Sequence, residues 1–328
     1  MSVQSVGDEP MTTHDLDLRS LHASMVRSRV LDDFSGELAR RGMVSLAPAA
    51  TGREGHHFAA MSALRPSDWL FGDLRSSASM IERGVSVRHW LAQRMGAASS
   101  AHGGHASSAE VTAKEANVVS VSSLMGTQLV HAVGVAMGMK ARNDDSVVLA
   151  WYGPAAAATG DAHNAMNFAG VYSLPVIFYY CSSGDPAADA LRLGGESYAD
   201  RAEGYGIASA TVDGSDVSGI AVEVAQAAAR ARSGGGATII DGRTGGDPLA
   251  ALEARLTAQG LDVAALRRSV ATPLSQELRD AATALQAEGP PQVATLFEHV
   301  FEALDARLIE QRDSLLRHLK RFSDGTVD

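Results

Sequence analysis

The sequence is short of cysteine, aromatic residues, positive charge and long apolar runs, and each shortage removes a class of protein. Its 328 residues hold one cysteine, Cys181, so no disulfide forms within the chain and a reducing compartment is the natural setting. The formal net charge of -10 argues against general affinity for nucleic acid or an acidic membrane surface. No segment approaches the roughly eighteen uninterrupted apolar residues that a membrane-spanning helix needs. The N-terminal stretch Met1–Met25 is polar and acidic, without the apolar core of a signal peptide. A cytoplasmic protein with neither a nucleic-acid nor a membrane partner is the expectation. Aromatics make up only 5% of the residues while alanine and glycine are abundant, which suggests closely packed helices of small residues.

What is present is a hydrophobic share of 45%, ample for a sizeable core. From about Thr13 to Arg41, apolar residues such as Leu21, Met25, Val26, Leu31, Phe34 and Leu38 recur at helical spacing. A loop-rich stretch is expected from Gly42 to about Gly84, then a helix over Val85–Met95. The Gly/Ser/Ala-rich run Ala97–Ala116 reads as an exposed or mobile loop. Gly126–Ala141 reads as a buried helix whose Gly134 and Gly138 share a face that lets another backbone approach.

Val147–Tyr152 and Pro175–Cys181 are apolar runs of strand length with a helix, about Asp161–Val171, between them. Ala208–Val212 and Ala237–Asp241 repeat the pattern around a helix at Val217–Arg232. The alternation predicts an α/β fold, a doubly wound, mostly parallel sheet with flanking helices. Residues 248 to 288 read as helical, and Thr295–Phe322 as one amphipathic helix whose apolar stripe wants a partner. The expected division is an N-terminal helical arm (1–45), an α/β domain (46–245) and a C-terminal helical region (246–328). No internal repeat is present.

In an open α/β sheet, ligands bind beyond the carboxyl ends of the strands, which directs attention to the loops after Tyr152 and Cys181. No nucleophile elbow, phosphate-binding loop of the Walker type or CxxC pair occurs. Cys181 ends a buried strand, where an inert thiol is expected. His102 and His105 form an HGGH whose spacing could place both on one metal. No carboxylate or cysteine stands nearby, so an exposed pair is the plainer alternative. The side chains of His56 and His57, being adjacent, diverge.

Five segments carry a resemblance: DWLFGDLRSSASMIERGVSVRHWLAQRMG, VVSVSSLMGTQLVHAVGVAMGMKA, GDAHNAMNFAGVYSLPVIFYYC, DRAEGYGIASATVDGSDV and PPQVATLFEHVFEALDARLIEQRDSLLRHL. Together they resemble the alpha subunits of the thiamine-diphosphate-dependent decarboxylating component of pyruvate and branched-chain 2-oxo acid dehydrogenases, over almost the whole chain. The resemblance implies the thiamine-diphosphate-binding fold. It also implies a motif that begins Gly-Asp-Gly and ends Asn-Asn, whose oxygens hold the Mg²⁺ that neutralises the cofactor's diphosphate. Here the two loops read Gly153-Pro154-Ala155-Ala156 and Cys181-Ser182-Ser183-Gly184 at the family's spacing. Pro154 stands where the metal-binding Asp belongs and Ser183 where the second Asn belongs. Proline offers neither a side-chain ligand nor an N–H. Asp185 is the alternative oxygen donor.

Carried over position by position, the resemblance places Arg75, Ser123, Met125, Gly153, Ala156 and Ser183 at a degenerate cofactor site. Only Arg75 of the family's Tyr-Arg-Glu-His-Gly segment is kept, in Leu74-Arg75-Ser76-Ser77-Ala78, and Thr159 replaces an acidic residue. Ser122, Thr127 and Gln128 match a run that binds structural K⁺ in branched-chain members, though such residues as often cap helices. Asp161 is expected to cap the next helix. After Asp241 the chain reads DGRTGGDPLAAL and lacks the family's His-Ser loop, which leaves His105 and His163 as the catalytic candidates.

The expectation is therefore that the chain binds no cofactor and scaffolds or regulates a beta-like subunit, typically in a heterotetramer, or forms a homodimer if alone. Two alternatives stand beside it. One is an enzyme of altered chemistry in which Arg75, His105, His163 and Asp185 matter. The other is an atypical active 2-oxo acid dehydrogenase with thiamine diphosphate, Mg²⁺ and K⁺ bound.

Overall fold

Apolar runs too short for a helix and unbroken by polar residues become the central strands. β1 (Trp69–Phe71), β2 (Val118–Val119), β3 (Val148–Tyr152), β4 (Val176–Cys181), β5 (Ala208–Asp213) and β6 (Thr238–Arg243) form one sheet in the order β2-β1-β3-β4-β6-β5. Every pairing is parallel. This computed structural model describes residues 16–185, 187, 189, 197–299 and 301–323. All of β3 and β4 is buried, whereas β5 at one edge alternates exposed residues with half-buried or buried ones. That is the difference between a strand covered on both faces and one at a rim.

Successive strand residues point to opposite faces and build two cores. Leu149, Trp151, Ile177, Tyr179, Cys181 and Ile240 pack with α1 (Leu18–Arg40), α2 (Val87–Arg94), α5 (Val217–Arg232), α6 (Pro248–Ala258) and α7 (Val263–Ala287). On the other face Val148, Ala150, Tyr152, Phe178, Tyr180 and Ile239 pack with α3 (Thr127–Ala141) and α4 (Gly160–Val171). Helix starts are set by side-chain caps. Asp17, Ser86, Asp216, Asp247 and Asp262 each accept backbone N–H groups of the first turn. Across the amino ends of the strands, buried Asp68 accepts from Arg65 N (2.7 Å) and Val147 N (2.9 Å) and receives both Nη atoms of Arg232. One carboxylate thereby ties β1, β3 and the end of α5 together.

The structure departs from the sequence reading in several places. The stretch expected to be loop-rich contains β1 and a buried helical turn at Gly55–Ala59, and β2 follows the Gly/Ser/Ala-rich run. That run is no free loop: Ala109, Val111 and Ala113 are fully buried. Gly104 lies close enough to Pro291 that an added Cβ would fall 2.5 Å from its ring. Glu288 pairs with Arg88 and accepts from Ser99 Oγ at 2.7 Å. The N-terminal helix begins at Leu18, and the expected start at Thr13 lies outside the described residues.

The expected tail helix is interrupted. It forms Thr295–Glu298 and, after a break, α8 (Ala306–Ser323), whose Ile309, Leu316 and Leu319 are exposed. Among the described residues nothing lies within 4 Å of a Cβ built at Gly134, and one at Gly138 meets only the Arg142 side chain at 3.8 Å, so none of their backbone uses the approach that the two glycines permit. Among the described residues, no helix is long and apolar enough to cross a membrane.

Candidate functional site

From β1 the chain crosses to β2 on one side and then to β3 on the other, so the order reverses between β1 and β3. A crevice opens beyond the carboxyl ends of strands at such a point. Here it is a cavity of about 270 Å³ whose polar and charged lining includes Arg53, Asp73, Arg75, Ser122, Gln128 and Ser183. Pro48, Leu74, Leu124, Met125 and the turn Gly153-Pro154-Ala155-Ala156 complete it. The structure thus gathers Arg75, Met125, Gly153, Ala156, Ser183, Ser122 and Gln128 around one space.

Pro154 opens a single helical turn, Pro154–Ala157, as the φ preset by its ring favours. Ser183 is engaged locally: its hydroxyl donates to Asp185 O and accepts from Asp185 N, both at 3.0 Å. Arg75 is pinned by a bond from its guanidinium to Ala49 O (2.6 Å) and by its own N–H donating to Asp73 Oδ1 (2.9 Å). Ser122 Oγ accepts from Leu124 N at 3.1 Å, and the Gln128 amide donates to Trp151 O at 3.4 Å. Asp73 is the one carboxylate in the lining, and behind it His57 Nε2 lies 3.8 Å away.

Other expected residues lie elsewhere. Ser123 turns its N–H to Glu110 (2.9 Å), and neither it nor Thr127 lines the crevice, so the three proposed K⁺ ligands are not all brought to it. His163 projects from the exposed side of α4, where Nδ1 pairs with Tyr205 OH at 2.9 Å. His105 packs edge-on against His299, with ring centroids 5.2 Å apart. Neither candidate histidine reaches the crevice. Nor does HGGH form a metal centre: among the described residues no group of three His, Cys, Asp or Glu side chains could hold a metal ion. Thr159, not Asp161, caps α4, accepting from Ala162 N at 3.2 Å, and Asp161 sits in the first turn, where its charge suits the helix dipole.

Sequence reasoning missed Arg53, Asp73 and the histidine pair beneath them. His56 and His57 do diverge, and both are buried. His56 reaches Tyr179 OH and Thr244 Oγ1, each at 3.0 Å, and burial pushes its pKa down to about 3. Burial likewise lowers His57, opposed by the nearby Asp73 carboxylate and reinforced by Arg53 and Arg75. Both imidazoles are neutral at neutral pH, so the cations at the crevice are arginines. Cys181, fully buried on the same face as Tyr179, has its thiol pushed up by desolvation, as an inert sulfur would. After β6, residues 244 to 247 suffice to reach α6, with Asp247 joined to Arg29.

The loop bearing Pro48 and Arg53 is tethered from α1. Asp32 Oδ2 accepts from Ala50 N (2.8 Å), Thr51 N (3.0 Å) and Thr51 Oγ1 (3.1 Å). Burial nevertheless raises its pKa to about 6. A carboxyl raised on folding adds stability that is complete below its unfolded pKa of about 3.9 and is lost as pH climbs through about 6. The melting temperature of Asp32→Asn relative to wild type should therefore rise between about pH 4 and 6 and level off above. A difference independent of pH across that window would show that Asp32 ionises as it does in the unfolded chain.

Residues 22–245 match the family model described as dehydrogenase E1 component. The chain is 36% identical over 229 residues to a Mycobacterium tuberculosis (strain CDC 1551 / Oshkosh) protein named 3-methyl-2-oxobutanoate dehydrogenase subunit alpha, covering 69% of this chain and 60% of that one. It is 27% identical over 334 residues to the human protein named 2-oxoisovalerate dehydrogenase subunit alpha, mitochondrial, covering 93% of this chain and 75% of that one. It thus spans about 60% of the mycobacterial relative's length. Among solved structures, transketolase from Campylobacter jejuni subsp. jejuni NCTC 11168 overlaps with a TM-score of 0.48 at 16% identity, over 81% of this chain and 48% of that one.

Proposed function

Because this chain belongs to the dehydrogenase E1 component family, we propose that it serves as an alpha-type subunit beside a beta-type subunit in the cytoplasm, in a scaffolding or regulatory role rather than in magnesium-dependent decarboxylation. The observation that carries this reading is the turn after β3. Pro154 lines the crevice where a carboxylate would be needed for Mg²⁺, and Ser183, across from it, commits its hydroxyl to Asp185. A hard divalent ion beside a diphosphate needs anionic or carbonyl oxygens converging on it. The crevice offers one carboxylate, Asp73, against two guanidinium groups. These residues do not fit Mg²⁺, and no step is routed through it.

Exposed apolar side chains support pairing with another subunit. Leu124 (71% exposed) and Met125 stand at the lip of the crevice, and away from it Phe168 and Tyr172, with ring centroids 5.8 Å apart at the end of α4, are exposed together with Val171, as is Met137 on α3. Exposed apolar clusters of this kind mark contact surfaces. The second reading, a site of altered chemistry that the partner completes, draws on Arg53 and Arg75 in the lining.

Calorimetric titration of thiamine diphosphate with Mg²⁺ into the chain, alone and mixed with a beta-type subunit, tests the proposal. No magnesium-dependent binding is expected in either preparation. Magnesium-dependent binding in the micromolar range would overturn it.

A further inference from the structure

Resting on that reading of the chain, we infer that the crevice is a metal-independent anion site, in which Arg53 and Arg75 take the diphosphate or phosphate end of a ligand directly. The strongest support is the place of Arg53. Its Nη1 comes within 4.0 Å of the Cβ position at Gly153, so the guanidinium stands against the very turn that carries Pro154. Among the described residues this guanidinium makes no hydrogen bond or ion pair, although the residue is half-buried in a lining that contains a carboxylate. A partly desolvated cation without a counter-ion is unfavourable, and an anion arriving in the crevice offsets that penalty.

Arg75 supplies the second cation and is already oriented by its bond to Ala49 O. Asp73 opposes an anion, but it is partly committed: its Oδ1 accepts the Arg75 N–H. Two guanidinium groups and one carboxylate leave the cavity with a single net positive charge. The planar five-donor guanidinium suits paired phosphate oxygens, so the charge that a metal would bring comes from the protein's own side chains. Leu124, Met125 and Leu74 add apolar lining to the same crevice for the rest of the ligand.

The test is calorimetric titration of inorganic pyrophosphate into the full chain in excess EDTA, repeated with Mg²⁺ in place of EDTA. Binding in EDTA is expected, with Arg53→Gln weakening it roughly ten- to a hundredfold, the span of a charge-assisted hydrogen bond. Arg53→Lys, which keeps the charge but loses the fork, should fall between the two and guards against a folding defect in Arg53→Gln. Binding in EDTA that is undiminished in both variants would overturn the inference. So would an absence of heat under both conditions, which leaves the subunit reading standing. Binding that appears only with Mg²⁺ overturns both together.

Discussion

Replacing Pro154 by Asp and Ser183 by Asn together is expected to leave magnesium-dependent binding of thiamine diphosphate absent, whereas adding Arg53→Ser should strengthen that binding by about a hundredfold or more. The reason is electrostatic. Arg53 Nη1 lies 4.0 Å from the side-chain position at Gly153, beside the turn where a metal would be held. Two unit charges about 7 Å apart, a separation that allows for the reach of a side chain at 154, repel by about 2 kcal/mol at an effective dielectric of about 20, and a divalent ion doubles that. Restored oxygens would have to overcome this repulsion. The carboxylate introduced by Pro154→Asp would meanwhile find a ready counter-ion in Arg53 and be drawn from any metal. Calorimetry with Mg²⁺ and thiamine diphosphate on the double and triple variants decides the matter. Equal affinity in both would mean that Arg53 does not block a metal, and substantial binding in the double variant would mean that lost ligands were the whole difference.

The second large effect concerns folding. Asp68→Ala should lower the unfolding free energy by about 3–5 kcal/mol, measured by urea denaturation at neutral pH. The side chain is fully buried, and Arg232 meets it through two nitrogens at 2.9 and 2.6 Å while itself only slightly exposed. Its removal strands that guanidinium and orphans the Arg65 and Val147 amides. An unpaired buried charge destabilises far more than an absent ion pair. Asp68→Asn, which keeps one acceptor, should recover part of the loss. If Asp68→Ala costs less than about 1 kcal/mol, the cluster is a passive contact rather than the clamp across β1, β3 and α5.

The sheet's centre was readable because Val148–Tyr152 and Val176–Cys181 carry no charged residue to confuse their period, and α5 because its cap, Asp216, sits at its start. β1 escaped because Trp69–Phe71 is three residues between Asp68 and Gly72, too short for any periodicity. The site was half legible. Pro154 and Ser183 lie in the two loops to which the rule that ligands sit beyond strand ends directs attention, and the family resemblance singled them out within those loops.

Arg53 could not be found that way. Its place depends on Asp32, on another element, holding Ala50 and Thr51. His105 and His163 drew attention as histidines alone. Only the packing of His299 and Tyr205 against them reveals surface roles. Gly134 and Gly138 were read for their spacing, but spacing gives no neighbour.

Because all six strands run the same way, the loops after β1, β2, β3 and β4 enter the crevice from one rim of the sheet, joined there by the loop after α1 that bears Pro48 and Arg53, while the two cores lie along the strand bodies. A residue such as Ser183, whose hydroxyl is bonded within its own loop, can change there with little effect on the folded state. In such an architecture chemistry and foldability are inherited separately. A lineage can discard one reaction and acquire another ligand at the rim while the scaffold beneath stays recognisable in every strand.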